Sequence, residues 1–251
     1  MTVAPASPHP DQTGFGSPRA AARAALRDTA GAPAVVLGAS FIGFGALVRQ
    51  NGLSLWHGLL STATGWALPG QIALVELYAV GASVLAIALA VALSNARLLP
   101  MTVTLMPLLR APRWSGWTYF AAAHFVAVTG WAAAMKVCPR IPEDERLPYF
   151  TAFAAALWAM TMATTAVGFF LAGAVPGYVS LGLVFLNPIY FMLVFAGDAN
   201  VRMRALALGA GAVCGPGLHL VAPDWGLLIT GLLAGTLAYA AEKLWSRRDG
   251  R

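Results

Sequence analysis

The chain has 251 residues and a mass of 26.1 kDa; 59% of its residues are hydrophobic and only 10% are charged. A soluble domain carries about 25% charged residues to face water, so this shortfall, with a mean hydropathy of +0.70, excludes a soluble enzyme or a secreted scaffold and points to a membrane protein. Two cysteines, Cys138 and Cys214, are too few for a disulfide framework or a four-cysteine zinc site. The net charge of +6 comes from basic residues placed between apolar segments, not from a patch interleaved with aromatics, so it reads as a topology signal and not as a nucleic-acid footprint.

Residues 1–28 are rich in Pro, Ser, Ala and Arg, with Arg19, Arg23 and Arg27 spaced by four. They read as a disordered tail leading into a short basic interfacial helix. The competing reading, a cleaved signal peptide, needs an apolar stretch soon after a basic start, whereas the first apolar run here begins near Pro33. Beyond the tail, charges act as a ruler, since about 20 apolar residues cross a bilayer as a helix. The uncharged gaps are 20 residues from Asp28 to Arg49, 26 to Glu76, 20 to Arg97, 22 from Arg113 to Lys136, 51 from Arg146 to Asp198, and 19 and 17 ending at Asp224 and Glu242. The 51-residue gap is divided by a turn at Pro176-Gly177, which makes about eight segments. Residues 29–246 thus form a single transmembrane domain, followed by a short cytoplasmic tail at 247–251.

Loops rich in Lys and Arg stay cytoplasmic. The N-terminal tail, the stretch Arg97–Arg113 and the ending KLWSRRDGR all favour the inside, while Lys136–Arg146, whose acids balance its bases, is placed outside. These votes conflict if every segment spans. They agree if segment 50–79, broken by Leu68-Pro69-Gly70, and segment 178–197, broken by Leu186-Asn187-Pro188, each enter and leave on one side. The predicted fold is therefore an all-α polytopic membrane protein with two Pro-broken segments and an inverted-topology repeat, residues 33–98 against 148–220. The alternative is that either Pro segment is merely kinked and spans fully. Inverted repeats with discontinuous helices place a small polar solute near the bilayer midplane.

The candidate site residues are Pro69, Gly70, Gln71, Glu76, Asn95, Arg97, Asn187 and Pro188. Glu76 is the one acid not in an obvious loop and suits a coupling-ion or ammonium site; at a helix end it would simply reach interfacial water. Arg97 has the fork to grip a carboxylate, or else serves as a snorkelling anchor. His124 and His219 lie in apolar runs, where a lone histidine is more often a packing residue, and neither is promoted. No metalloprotease, nucleophile-elbow or phosphate-loop signature occurs, and no metal or other cofactor is expected. An integral-membrane enzyme and a nonenzymatic scaffold remain the alternatives to a carrier. They differ in whether a substrate is changed covalently and whether Gln71, Asn95 and Arg97 tolerate replacement.

The string NGLSLWHGLLSTATGWALPGQIALVELYAVGAS, followed by ALSNARLLPMTVTLMPLLR and the late APDWGLLITGLLAGTLA, resembles the AzlC family, the large subunit of bacterial branched-chain amino acid exporters. The resemblance runs from about Ala32 to the C-terminus. Where the family reads a small residue, then Gln-Phe-Ala, this chain has Gly70-Gln71-Ile72-Ala73; where the family reads Asn-Leu-Arg-His, it has Asn95-Ala96-Arg97-Leu98. Gln71, Asn95 and Arg97 carry over, the Phe and His do not, and Glu76 and Leu68-Pro69 have no counterpart in that pattern. The resemblance implies a secondary exporter of neutral branched-chain amino acids in the bacterial inner membrane, working with a small AzlD-like membrane subunit; that both termini are cytoplasmic is the expectation from the Lys and Arg placement above. A permease for another small polar solute is the alternative.

Overall fold

A computed structural model describes residues 14–172, 174, 176–179, 181–185, 189, 202–221 and 226–249. All regular structure among the described residues is helical, so the fold is that of an all-α polytopic membrane protein. The chain forms two compact units, residues 1–186 and 187–251. The first contains α1 (Pro18–Thr29), α2 (Ala32–Gln50), α3 (Leu55–Thr64), α4 (Leu68–Ala79), α5 (Val84–Asn95), α6 (Leu98–Leu109), α7 (Gly116–His124), α8 (Val128–Val137) and α9 (Glu143–Leu171). In the second, α10 (Arg202–Val221) packs on α11 (Gly226–Asp249), with Gly215 facing Thr230.

The basic helix expected after the tail is α1, which starts as its sequence dictates: Ser17 caps the Ala20 amide at 3.1 Å and Pro18 takes the first position. It buries Ala21 and Ala25 and lies against the start of α9, where the Phe15 amide donates to Glu145 Oε2 at 2.7 Å and Tyr149 Oη donates to Asp28 Oδ2 at 2.7 Å.

Two helices are long and apolar enough to cross a membrane, α2 with 19 residues and α9 with 29. They run in parallel. Gly38 faces Met160 and Thr164, Gly45 lies against Thr165 and Phe169, Gly168 lies against Ile42, and Arg49 sits 5.1 Å over the Phe169 ring. A Cβ on Gly45 would collide with the Thr165 carbonyl, and one on Gly168 with the Ile42 carbonyl, so these glycines permit a backbone approach that any side chain would forbid. Leu37, Phe41, Phe44, Phe153 and Leu157 complete the core around this seam.

Parallel α2 and α9 put Lys136–Arg146 on the same face of the unit as α1, where the sequence had placed that loop on the opposite face, and they orient the first helices of the predicted repeats 33–98 and 148–220 alike, not in opposite senses. The sequence placed the loop on that opposite face because its acids balance its bases, whereas the contact of Glu145 with Phe15 holds it beside the start of α1. A second difference concerns Arg97–Arg113, read as a loop from its three arginines. Its 12-residue apolar interior is helix α6, with Leu105 and Leu109 fully buried. α5 and α6 meet at a 45° bend and together form a third span candidate. This bent rod crosses the unit: its middle, at Asn95, touches Gly70, and its end reaches the α1 face, where Arg146 Nη1 donates to the Leu108 carbonyl at 3.3 Å.

Segment 50–79 is broken, as expected, and folds back on itself. His57 of α3 and Tyr78 of α4, at the far ends of the two half-helices, have ring centroids 6.5 Å apart, while Gln71 reaches Ser61 and Thr62 near the tip. The interruption lies at Gly65-Trp66-Ala67, just ahead of Pro69, because proline suits the first turn of a helix; here it starts α4 and does not end α3. Segment 114–135, expected to span, is also broken, at Phe125-Val126-Ala127. α7 leaves the α1 face, where Tyr119 Oη donates to the Ala111 carbonyl at 3.1 Å, and α8 returns to it, with Gly130 beside Phe150 and Ala154 and Cys138 beside Arg146. No proline or charge marks this break, so the charge ruler passed over it. Asn187 and Pro188, the other predicted break, lie outside the described residues.

Candidate functional site

The two hairpins enter from opposite faces and touch at their tips. His124, the last residue of α7, places Nε2 2.8 Å from the carbonyl oxygen of Ala63, one residue before the end of α3. A carbonyl only accepts, so Nε2 carries the proton. Phe125 then packs edge-on against Trp158 at 5.9 Å, and Thr62 Oγ1 lies 3.4 Å from Thr165 Oγ1. The tips thus lie beside the stretch of α9 from Trp158 to Thr165, about midway along that helix.

Each hairpin exposes helix ends here. α4 begins after Ala67 and α8 after Ala127, and neither has a side-chain cap. The first turn of a helix leaves its amides without intrahelical partners and carries the positive end of the dipole. Pro69 has no amide, which leaves those of Leu68 and Gly70 in the first turn of α4. Abutting this turn is the opposite pole of α5. Its last residue, Asn95, presses its amide against Gly70, where a Cβ would stand 2.7 Å from Asn95 Oδ1. Any residue but glycine at position 70 would displace Asn95.

Gln71 is only 2% exposed. Its Nε2 donates to Thr62 Oγ1 at 2.9 Å and Ser61 Oγ at 3.2 Å, and both of those hydroxyls donate to the Gly58 carbonyl. Since each hydroxyl has already spent its proton, the amide orientation is fixed, and Gln71 Oε1 is left buried with no donor. Arg97 occupies the bend between α5 and α6, and its Nε is buried without a partner. Among the described residues, six buried side-chain nitrogen or oxygen atoms lack a hydrogen bond; Gln71, Asn95 and Arg97 supply three of them. Buried polar atoms are nearly always paired, and these three unpaired ones belong to residues at the α4 start and the α5–α6 bend.

Five sequence-predicted residues therefore gather around the α4 start and the α5–α6 bend: Pro69, Gly70, Gln71, Asn95 and Arg97. Glu76 does not join them. It lies one and a half turns further along α4, on an exposed face. Asn187 and Pro188 fall outside the described residues. The sequence reading missed Ser61 and Thr62, although the polar run Ser61-Thr62-Ala63-Thr64-Gly65 inside a 26-residue uncharged gap was the available signal. It also passed over His124, whose partner lies 61 residues away. Among the described residues no group of three or more His, Cys, Asp or Glu side chains could hold a metal.

Against known families, residues 33–175 match AzlC, described as AzlC protein. The chain belongs to the AzlC family. The match covers more than half of the chain, from the second residue of α2 to just past α9, and so takes in both hairpins, Gln71, Asn95 and Arg97. No curated protein and no solved structure matches. AzlC membership places the chain among membrane transporters.

Proposed function

We propose that this AzlC-family protein exports branched-chain or similar neutral amino acids across the bacterial inner membrane, as the large subunit of a carrier completed by a small AzlD-like membrane subunit. The observation that carries the reading is the contact of Asn95 with Gly70 where the end of α5 meets the start of α4, with buried polar atoms of Asn95 and of the adjacent Gln71 and Arg97 unpartnered. Discontinuous helices in carriers serve this purpose, since backbone groups freed at the break bind a polar solute where lipid offers nothing.

The orientation follows from charge. Of the ten Lys and Arg residues in 1–186, eight lie on the α1 face, namely Arg19, Arg23, Arg27, Arg110, Arg113, Lys136, Arg140 and Arg146; Arg49 lies opposite and Arg97 at the bend. The positive-inside rule makes the α1 face cytoplasmic. The binding step needs no covalent chemistry: the site holds the solute while the hairpins open first to one side and then to the other. Cells preloaded with labelled leucine, valine or alanine and expressing the chain with its neighbour should lose label faster than cells lacking both. Equal efflux for every neutral amino acid tried would reject the reading.

A further inference from the structure

The unpartnered atoms differ in kind. Gln71 Oε1 and Asn95 Oδ1 are acceptors, whereas Arg97 Nε and the first-turn amides of α4 are donors. The helix ends repeat the division, since the carbonyl end of α5 meets the amide end of α4 at the contact of Asn95 with Gly70. Asn95 Oδ1 lies against the amide end of α4, Gln71 follows Gly70 by one residue and Arg97 follows Asn95 by two, so acceptors and donors without a carboxylate among them complement a group that is itself both cation and anion.

We propose that Gln71 Oε1 and Asn95 Oδ1 receive the ammonium group of one α-amino acid, while Arg97 and the Leu68 and Gly70 amides of α4 receive its carboxylate. This assignment rests on the amino-acid reading of the site and deepens it. Ser61 and Thr62 act as positioning residues. By taking both hydrogens of the Gln71 amide they turn its oxygen toward the ligand and keep its nitrogen from facing the ammonium. The assignment also gives Glu76 no part in binding the ammonium, in keeping with its exposed place on α4. Selectivity for the zwitterion then comes from dipoles and one arginine, and a side chain of any apolar shape leaves that recognition untouched.

The test is equilibrium binding of labelled leucine to membranes from cells expressing the full chain together with its neighbour. The competitors are leucinamide, which lacks the carboxylate charge, and 4-methyl-2-oxopentanoate, which lacks the ammonium. A charge-assisted hydrogen bond contributes about tenfold or more in affinity, so both competitors should bind at least about tenfold more weakly than leucine. Arg97→Gln should abolish the preference over leucinamide and leave the preference over the oxo acid. Asn95→Leu and Gln71→Leu should do the reverse. Ser61→Ala with Thr62→Val should weaken leucine without altering the preference over leucinamide. If leucine binds but either competitor matches it on the unaltered protein, or if the two preferences do not separate between Arg97→Gln and Asn95→Leu, the assignment is overturned while the transport reading stands. If neither leucine nor any other neutral amino acid binds or is exported, both fall. The comparison of ligands on the unaltered chain decides the matter even where a variant fails to insert.

Discussion

His124 and Ala63 are 61 residues apart in sequence, yet the imidazole Nε2 of one and the carbonyl oxygen of the other are 2.8 Å apart, and this is where hairpins from opposite faces join. The Gly65 amide closes α3 on the Ser61 carbonyl, so the Ala63 carbonyl beyond it has no donor within the helix. In a hydrocarbon setting an unpaired carbonyl is costly, so the histidine both satisfies α3 and holds the two tips together.

Replacing His124 tests that link. His124→Phe removes the donor but keeps a flat ring, and export should fall severalfold while the amount of protein in the membrane stays near normal, because a single net hydrogen bond contributes about 1 kcal/mol to stability. His124→Gln, which restores an N–H donor, should recover part of the activity. Full export by the Phe variant at equal protein level would show that the tips need no such bond.

The seam between α2 and α9 should be the least tolerant place in the unit. Gly45→Ala and Gly168→Ala each bring a methyl group against backbone carbonyls, which cannot rotate away as a side-chain end would. Overpacking a core typically costs about 1–3 kcal/mol, and a clash with backbone belongs at the upper end of that range. Gly38→Ala faces only the Thr164 and Met160 side chains and should be mild. Melting temperatures of the purified variants in detergent should fall in that order, and equal values for all three would contradict the close approach.

Much of this arrangement was legible in residue chemistry and some was not. Charge spacing located α2, α9 and the broken segment 50–79, because a charge in lipid is costly wherever it occurs. The short motifs around Gln71 and Asn95-Ala96-Arg97 singled out residues that the fold brings to one region, since the α4–α5 turn folds Asn95 back onto Gly70. The ruler failed at α6, where a helix of 12 uncharged residues hides between Arg97 and Arg110. Arg97 looked like the edge of a loop because nothing local shows that α5 and α6 form a single bent rod. The break at Phe125-Val126-Ala127 was equally silent, being apolar and free of proline; it is held open by tertiary partners, Trp158 and Ala63.

Cys138, in the turn between α8 and α9, offers a test of packing at the α1 face. Burial pushes its thiol up to about 12 from an ordinary 9.0, an effect that nearby Arg146 only partly offsets. The thiolate is the reactive form, so a thiol raised in this way is very largely un-ionised at pH 8. In a Cys214→Ser background, maleimide should leave Cys138 unlabelled in native membranes at pH 8 and label it at once in denaturing detergent. The folded value lies above the unfolded one, so the stability linked to this group is complete below about pH 9 and lost progressively as pH rises toward 12. Rapid labelling of folded protein at pH 8 would mean that the turn opens.

The arrangement of faces yields the sharpest prediction, because the structure and simple charge balance disagree about one loop. Asn51, after α2, and Val80, after α4, lie on the face opposite α1, and the hairpin between them returns to its starting side. Arg113, before α7, and Arg140, after α8, lie on the α1 face for the same reason. In a background lacking Cys138 and Cys214, an impermeant maleimide applied to intact cells should label Asn51→Cys and Val80→Cys, whereas Arg113→Cys and Arg140→Cys should react only after lysis. Labelling of Arg140→Cys from outside would restore the sequence-based placement of Lys136–Arg146 and make α7 and α8 one crossing. Separation of Asn51→Cys from Val80→Cys would do the same for α3 and α4. Either result would remove the opposed hairpins, and with them the reason for placing Gln71, Asn95 and Arg97 at the middle of the membrane.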